Sequence, residues 1–275
     1  MKRQRWRVLP IHVINLARAP DRLAHMAGEL GRLGLDWQRF DATDRLSPGA
    51  AGPAAGFATG FATGRLARAF PATPGDIACS LSHLRLWHLI AEGPAAAAVV
   101  LEDDARLAPG FAGFASEAVV DLMGRHGMGA LKLEFWPGPQ QSRRRPVGRD
   151  LGPVGGGARL YRMHSSFLGT CGYVLTAEAA RSLLRAFPRP CVPVDHLLFG
   201  AEAALGFDLL RPGFVNPAPV LHDTAAFASD IGAERVTRGR SAGRRLRDLV
   251  LRRRIAAAIA RGEAAPVTMR FAGER

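Results

Sequence analysis

The chain has 275 residues, 48% hydrophobic and 22% charged, which excludes a disordered tail protein and a fibrous repeat. Its formal net charge is +13, but all except two of its 37 lysines and arginines are arginines. Because alanine and glycine are also abundant, we attribute that ratio partly to compositional bias and discount it as evidence for nucleic-acid binding. The cysteines are too few and too scattered for a disulfide framework or a thiolate zinc site: Cys79, Cys171 and Cys191.

No apolar run reaches the roughly 20 residues that a membrane-spanning helix needs. The basic start, residues 1–7, precedes a stretch over 8–16 that is too short and too polar for the apolar part of a signal peptide. These features predict a cytoplasmic protein. Near the other end, residues 232–275 are rich in arginine and alanine, and we treat them as a separate basic tail.

Apolar runs and helical periodicity alternate along the chain. The predicted strands are residues 8–16, 37–42, 97–101, 130–134, 172–175 and 207–210. The predicted helices are residues 20–33, 77–92, 111–125, 177–187, 193–205 and, in the tail, 244–261. A Gly/Ala-rich excursion over 45–75 and a segment over 137–158 are expected to be irregular. The alternation predicts the α/β class, with a mainly parallel sheet covered by helices on both faces.

Three consecutive acids, Glu102, Asp103 and Asp104, follow the predicted strand 97–101. Ligands of open α/β sheets bind outside the carboxyl ends of the strands, so these acids are placed where a site is expected. Three crowded carboxylates repel one another unless a cation lies among them, and oxygen ligands suit Mg²⁺ or Mn²⁺. The alternative is a polar loop in which Asp104 caps the next turn.

The helix that follows Pro74 has a polar stripe beside its apolar one. At 100° per residue, Asp76, Ser80, His83 and Trp87 fall within an arc of about 60°. Asp76 is either the N-cap or an acid of the first turn. The stripe suits a substrate cleft, although a half-buried helix with a hydrogen-bonded His83 would show the same pattern.

These segments and several others occur in one order along residues 8–231. They are Ile14-Asn15-Leu16 with Asp21-Arg22, Phe40-Asp41-Ala42, Gly75 to His83, Val99 to Asp104, Leu131 to Glu134, Gly172 to Leu175, and Pro193 to His196. Together they resemble glycosyltransferase family 25, the lipopolysaccharide-biosynthesis and collagen-galactosyltransferase-like group. Asp76 stands where that family usually has Glu, Ala78 where Gly is usual, and the long excursion over 45–75 departs from the pattern.

The resemblance implies a GT-A-like fold in one catalytic domain over 1–231, a nucleotide-sugar donor, with UDP-galactose favoured, and a divalent metal, Mn²⁺ or Mg²⁺. Asp104 is then the expected direct metal ligand, with Asp103 or Glu102 binding directly or through water, and the metal stabilises the departing diphosphate. Arg22 is a candidate for the diphosphate, because a guanidinium can donate to two oxygens, or else forms a surface salt bridge. Asn15 is a candidate for the base or ribose.

Two later residues are also candidates on this resemblance. His222 follows an apolar run and could complete the metal coordination, or be an ordinary surface histidine. Asp195 could cap the helix after Pro193, or be the base that accepts the acceptor's hydroxyl proton in an inverting transfer. The predicted site is completed by catalytic His83 and by donor contacts from Asp76 and Ser80.

The expected partners are a nucleotide-sugar and a glycan or lipid-linked oligosaccharide acceptor such as lipopolysaccharide, without nucleic acid. The basic tail helix suggests an anionic membrane surface, which would make the enzyme peripheral on the inner membrane, or is a solvated helix in a biased composition. Two other functions stay open. A nucleotidyltransferase would also use strand-end acids and a metal, and a non-catalytic membrane- or nucleic-acid-binding protein would use the tail.

Overall fold

The structure is a computed structural model that describes residues 8–46, 61–62, 64–138, 145–223 and 242–274. Its helices are α1 (Pro20–Arg32), α2 (Arg65–Ala69), α3 (Pro74–Glu92), α4 (Glu117–Arg125), α5 (Ala177–Ala186), α6 (Val194–Phe199), α7 (Gly206–Leu210) and α8 (Ala242–Ala260). Its strands are β1 (Ile11–Asn15), β2 (Gln38–Asp41), β3 (Ala97–Glu102), β4 (Ala105–Leu107), β5 (Ala130–Lys132), β6 (Glu134–Phe135), β7 (Val147–Gly155), β8 (Ala158–Met163), β9 (Gly172–Thr176), β10 (Gly213–Asn216), β11 (Val220–His222) and β12 (Ala265–Pro266).

A nine-stranded sheet runs through the molecule in the order β12-β7-β8-β10-β5-β9-β3-β1-β2. The predicted α/β class, a large central sheet flanked by helices in one domain, is confirmed, but the sheet is mixed rather than mainly parallel. Strands β2, β1 and β3 are parallel neighbours, as are β5 and β10. Strand β9 lies antiparallel between β3 and β5, and the β7–β8 hairpin is antiparallel as well. The run of mostly alternating strands and helices could not reveal that β9 enters in the opposite direction.

Each face of this sheet packs against its own helices. Residues Val99 and Leu101 of β3 belong to a core shared with α1 and α4, whereas Ala98 and Val100 belong to a core shared with α3, α5 and α6. Successive side chains of a strand point to opposite faces, so β3 contributes to both cores. The same alternation places Glu102, the last residue of β3, on the face of Ala98 and Val100.

A second sheet, in the order β4-β11-β6, lies at the edge where β3 ends. Strand β4 follows the acids after one turn, and β11 pairs with it antiparallel, so that His222 is opposite Ala105. Strand β6 pairs with β11 in parallel. This pairing brings His222 next to Asp104, although 118 residues separate them in the chain.

Several elements differ from the sequence-based expectation. The segment over 137–158 was expected to be irregular, yet 147–163 forms the β7–β8 hairpin, whose glycine-containing bulges hide the strand periodicity. Residues 207–210, expected to be a strand, belong to α7. The expected helix over 111–125 is a short 3₁₀ turn followed by α4, and the one expected over 193–205 ends at Phe199. Within the excursion over 45–75, residues 47–60 and 63 lie outside the described residues, whereas Arg65–Ala69 forms α2 and α3 begins at Pro74.

The basic tail is not separate from the rest of the molecule. The predicted helix over 244–261 corresponds to α8, but the chain then returns to the central sheet, where β12 pairs with β7. Val267, Met269 and Phe271 are buried in the core on the α3 side. Within the described parts of the chain, no helix combines the length and apolar character needed to cross a membrane.

Candidate active site

Asp103 faces the α1 side of the sheet and is held by two neighbours. The amide of Asn15, the last residue of β1, donates to Asp103 Oδ2 at 2.7 Å, and Arg22 Nη1 of α1 donates to Oδ1 at 3.1 Å. Burial raises the pKa of Asp103, and this outweighs the opposing effects of the Asn15 and Arg22 hydrogen bonds. Arg22 is therefore part of the strand-end cluster and not in a salt bridge confined to the surface of its own helix.

Asn15 lies at the carboxyl end of β1, but protein groups occupy its amide. Besides Asp103, its Nδ2 donates to the carbonyl of Ala19 at 3.0 Å, and its Oδ1 accepts from Arg39 Nε at 2.9 Å. The residue is 1% exposed. In this structure Asn15 positions Asp103, and its predicted contact with a base or ribose stays a prediction.

Asp104 points towards the small sheet and pairs with His222. Asp104 Oδ2 is 3.1 Å from His222 Nε2, and the thiol of Cys171 donates to Oδ1 at 3.5 Å. Burial raises the pKa of Asp104, but His222 and Arg22 lower it more, and the net pKa lies below its ordinary value. Burial by itself lowers the pKa of His222, yet the Asp104 carboxylate raises it to about 9. The two side chains form a buried ion pair when no metal is bound.

Glu102 points to the α3 face, away from Asp103. Its Oε1 accepts from the hydroxyl of Thr170 at 2.6 Å and lies 3.3 Å from His83 Nε2. Glu102 thus has its own partners on the α3 face, whereas Asp103 and Asp104 both lie near Arg22. Glu102 is the last residue of β3, whereas Asp103 and Asp104 form the turn before β4, so the three carboxylates do not all point to one side of the sheet.

His83 is fully buried in a chain of hydrogen bonds. Its Nδ1 is 2.8 Å from the hydroxyl of Tyr173, which also accepts from Trp87 Nε1 at 3.0 Å. When the His83 ring is neutral, its contact with Glu102 assigns the proton to Nε2, because a carboxylate only accepts, and the Tyr173 hydroxyl then donates to Nδ1. His83 and Trp87 are two members of the predicted polar stripe, and both are used here to orient Glu102.

The other two members of the stripe, Asp76 and Ser80, hold neighbouring backbone. Asp76 is an acid of the first turn: it forms a capping box with Thr73, the N-cap, in which each side chain bonds the other's backbone N–H. Ser80 Oγ donates to the Asp76 carbonyl at 2.7 Å and accepts from Val194 N at 3.1 Å. Ser80 therefore joins α3 to the start of α6. Donor contacts by Asp76 and Ser80 stay predictions.

Asp195 is buried in the first turn of α6. The N-cap is Pro193, so the capping alternative for Asp195 is wrong by two positions. Its Oδ1 accepts from the next backbone N–H, that of His196, at 2.8 Å. The structure leaves the predicted role of Asp195 as the base untested.

A buried ion pair between Lys132 and Glu134 positions the loop before β9. In the sequence analysis these two residues appear only as part of the family pattern. Lys132 Nζ is 2.9 Å from Glu134 Oε1 and donates to the Gly169 carbonyl at 2.5 Å. Glu134 Oε2 accepts from the backbone N–H of Gly172 at 3.0 Å. This loop carries Thr170 and Cys171, which contact Glu102 and Asp104. The sequence signal that could have revealed this ion pair is the presence of two charged residues in an otherwise apolar strand segment.

A divalent cation fits the Asp104–His222 pair. Two ligands on adjacent positions of an octahedral Mg²⁺ or Mn²⁺ ion, each about 2.1 Å from it, are about 3.0 Å apart. The observed separation of Asp104 Oδ2 and His222 Nε2 is 3.1 Å. In addition, His222 Nδ1 is buried without a hydrogen-bond partner among the described residues. Glu102 as a third ligand stays a prediction.

A second group of potential ligands lies on the α3 side. One ligand atom each of Cys79, His83 and Glu102 lies within 4.8 Å of the others. A thiolate and an imidazole suit Zn²⁺ better than Mn²⁺ or Mg²⁺. The hydrogen bonds of His83 and Glu102 to each other, to Thr170 and to Tyr173 account for this arrangement without an ion.

Buried acids at the carboxyl edge of parallel strands, with a histidine brought beside them, define an α/β enzyme with its site at the sheet edge. A sequence model of glycosyltransferase family 25, described as an LPS biosynthesis protein, matches residues 8–198. The chain belongs to this family, whose name describes glycosyltransferases. The resemblance inferred from the sequence motifs is confirmed.

Individual relatives give the same result. A glycosyltransferase 25 family member of Anopheles gambiae is 32% identical over 203 residues, covering 68% of this chain and 31% of the relative. The lacto-N-neotetraose biosynthesis glycosyltransferase LgtB of Neisseria gonorrhoeae is 28% identical over 200 residues, covering 69% and 66%. Procollagen galactosyltransferase 1-B of Xenopus laevis is 29% identical over 203 residues, covering 68% and 30%. The aligned part is thus about a third of the insect and frog proteins.

Proposed function

We propose that this glycosyltransferase moves a hexose, with galactose favoured, from a UDP-sugar to a glycan acceptor such as a lipopolysaccharide-type oligosaccharide, with a divalent metal and with inversion. The observation that carries the proposal is the Asp104–His222 pair at the end of β3. Two of the relatives described above bear names that refer to galactose transfer or to lacto-N-neotetraose synthesis. Family membership favours glycosyl transfer over both alternatives left open by the sequence, nucleotidyl transfer and non-catalytic binding.

In this proposal Asp104 and His222 hold Mn²⁺ or Mg²⁺, which when bound neutralises the departing diphosphate. Arg22 adds a second positive charge at the same edge, since its Nη1 is 4.0 Å from Asp104 Oδ2 and can also donate to phosphate oxygens. The carboxylate of Asp103 restrains Arg22 by accepting its hydrogen bond, and the amide of Asn15 restrains Asp103 by donating a hydrogen bond to it. Together with the bound cation, Arg22 would supply positive charge where negative charge develops in the transition state.

On the acceptor side of the reaction, the proposal concerns the catalytic base. Inversion at the anomeric carbon needs one base on the face opposite the leaving group, and Asp195 is the proposed base. Its link to the site runs through Ser80, which bonds Val194 at the start of α6. His83 contributes by donating to Glu102, which we place beside the donor sugar.

Metal and donor binding are tested together with the Asp104→Asn variant, which keeps the shape but removes the charge. We expect wild-type protein to be stabilised against heat by UDP-galactose only in the presence of Mn²⁺ or Mg²⁺. In the variant this stabilisation is lost, and kcat/KM for UDP release with a galactose-accepting glycan falls by about 100-fold or more. Asp121→Asn, at an exposed position of α4, is the matched control and retains both.

The outcomes separate the parts of this proposal. Metal-independent stabilisation by UDP-sugars, unchanged in Asp104→Asn, would refute the metal site. Stabilisation by a different nucleotide-sugar would refute UDP-galactose as the donor without contradicting the metal site. The base is tested independently: unchanged turnover of Asp195→Asn across the pH range would remove Asp195 from the mechanism.

A further inference from the structure

Helix α8 has one face attached to the molecule. Positions 248, 251, 255 and 258 recur at helical spacing, and their side chains are half-buried or buried. Arg247 Nη1 donates to the carbonyl of Ala203 at 3.2 Å. After the helix, β12 joins the central sheet. The helix is therefore held against the enzyme at a fixed orientation.

The opposite face carries large apolar side chains in solvent. Leu246, Leu249 and Val250 are 64%, 47% and 42% exposed. At 100° per residue these three lie within an arc of about 100°, directly opposite the attached face. Ile255, by contrast, is half-buried on the attached face. Large side chains exposed together in this way mark an interaction surface.

Arginines surround these apolar residues. Viewed along the helix axis, Arg253 lies between the three apolar residues. Arg245 and Arg252 flank these residues on one side, and Arg254 flanks them on the other. All four are exposed. The acidic residue of the helix, Asp248, is on the attached face, and Glu263, beyond the helix, is paired with Arg261. The outer face is thus both apolar and positively charged.

We propose that this outer face of α8 docks the enzyme onto an anionic lipid membrane. The apolar side chains enter the boundary between headgroups and acyl chains, while the arginines bind lipid phosphates around them. A nucleic acid would satisfy the arginines but offers no apolar phase for the leucines. A second copy of the same face would bring like charges together. The inference goes beyond the proposed transfer reaction, and its test needs neither donor nor acceptor.

The test is co-sedimentation of the full chain with phosphatidylcholine vesicles, with and without phosphatidylglycerol, at physiological salt. We expect binding only to the anionic vesicles. The double variant Leu246→Gln/Leu249→Gln should bind about tenfold more weakly or worse, and Arg253→Gln about fivefold more weakly. Leu209→Gln, at a position of α7 that is 45% exposed, is the matched control and should bind like wild type.

Each other outcome overturns the proposal. Equal binding to neutral vesicles would show that the arginines do not contribute through lipid charge. Unchanged binding of the leucine variant would show that the apolar side chains do not enter the membrane and that the protein only adsorbs through its charge. Binding of a generic RNA that is lost with Arg253→Gln and not with the leucine variant would identify a nucleic-acid surface. A dimer in ultracentrifugation that the leucine variant abolishes would identify a face for self-association. Transfer to a soluble acceptor is measured alongside and should be the same in all variants.

Discussion

At the scale of single residues, the Tyr173 hydroxyl and the Glu102 carboxylate contact the two ring nitrogens of His83 and together orient the ring. The hydroxyl accepts from Trp87 and donates to Nδ1 of His83, so the Nε2 proton points at Glu102. Burial raises the pKa of Tyr173 well above its ordinary value, which keeps this hydroxyl protonated and able to donate. One buried hydroxyl therefore fixes the orientation of two site residues.

We predict that Tyr173→Phe leaves His83 Nδ1 and Trp87 Nε1 without their partner. The variant should lose about 1–3 kcal/mol of stability, because two buried polar atoms become unsatisfied. The ¹⁵N NMR spectrum of the His83 ring should change from one tautomer to a mixture, and kcat should fall with it.

Tyr161→Phe is the control, since Tyr161 is the only other tyrosine and is partly exposed. A single Nε2–H tautomer in Tyr173→Phe would show that the hydroxyl does not set the proton position. If the variant loses stability while the ¹⁵N spectrum of the His83 ring and kcat stay unchanged, Tyr173 contributes only to packing.

At the scale of elements, the contact between β5, β6 and the loop before β9 depends on the buried Lys132–Glu134 pair. Lys132 Nζ also lies 4.9 Å from the ring centre of Phe167 and 4.7 Å from that of Phe199. Gly169, at a φ of +108°, allows the loop to pass close to this pair, because an added Cβ would lie 2.0 Å from Glu134 Oε1. The pair thereby sets the position of Thr170 and Cys171.

We predict that Lys132→Met destabilises the protein by about 3–5 kcal/mol, because Glu134 is left buried without its cation. The double variant Lys132→Met/Glu134→Gln should recover part of this loss, since a glutamine can still accept from the Gly172 amide. Urea unfolding of the three proteins measures both effects. Arg159→Met, which breaks an exposed ion pair with Asp150, is the control and should change stability far less. A double variant no more stable than Lys132→Met would contradict this account.

At the scale of the whole molecule, the segment that follows β12 pairs with the chain just before β11. Phe271 is 4% exposed, and its backbone forms a bridge with Ala218, two residues before β11. The Ala218 N–H donates to the Arg270 carbonyl, and the Ala272 N–H donates to the Ala218 carbonyl. The C-terminal segment therefore supports the strand on which His222 lies.

We predict that Phe271→Ala lowers the free energy of unfolding by about 3–5 kcal/mol, because it leaves a cavity in the core. It should also weaken metal binding, since β11 loses its support. Thermal unfolding and Mn²⁺ titration by calorimetry measure the two effects. Thr268→Ala, at an exposed position of the same segment, should change neither. Full stability in Phe271→Ala would show that the tail is only loosely attached.

Much of the local structure was predictable because it depends on short-range patterns. The apolar run of β3, the helix begun by Pro20 and the capping sequence before α3 each satisfy local rules of burial and hydrogen bonding. Prediction failed where pairing with distant segments decides the outcome. The hairpin over 147–163 contains Gly148, Gly152 and Gly155, and its strands are stabilised by β10 and β12 on either side.

The sequence by itself determined the family, the α/β class and the residue types of the site, because motifs and periodicities are local properties of the chain. The tertiary structure alone decided that Glu102 faces other partners than Asp103 and Asp104, that His222 lies beside Asp104, and that Lys132 and Glu134 hold the adjacent loop. These contacts join residues far apart in sequence, and they follow from strand order and register. No local pattern encodes that order, since it depends on how all the elements pack at once.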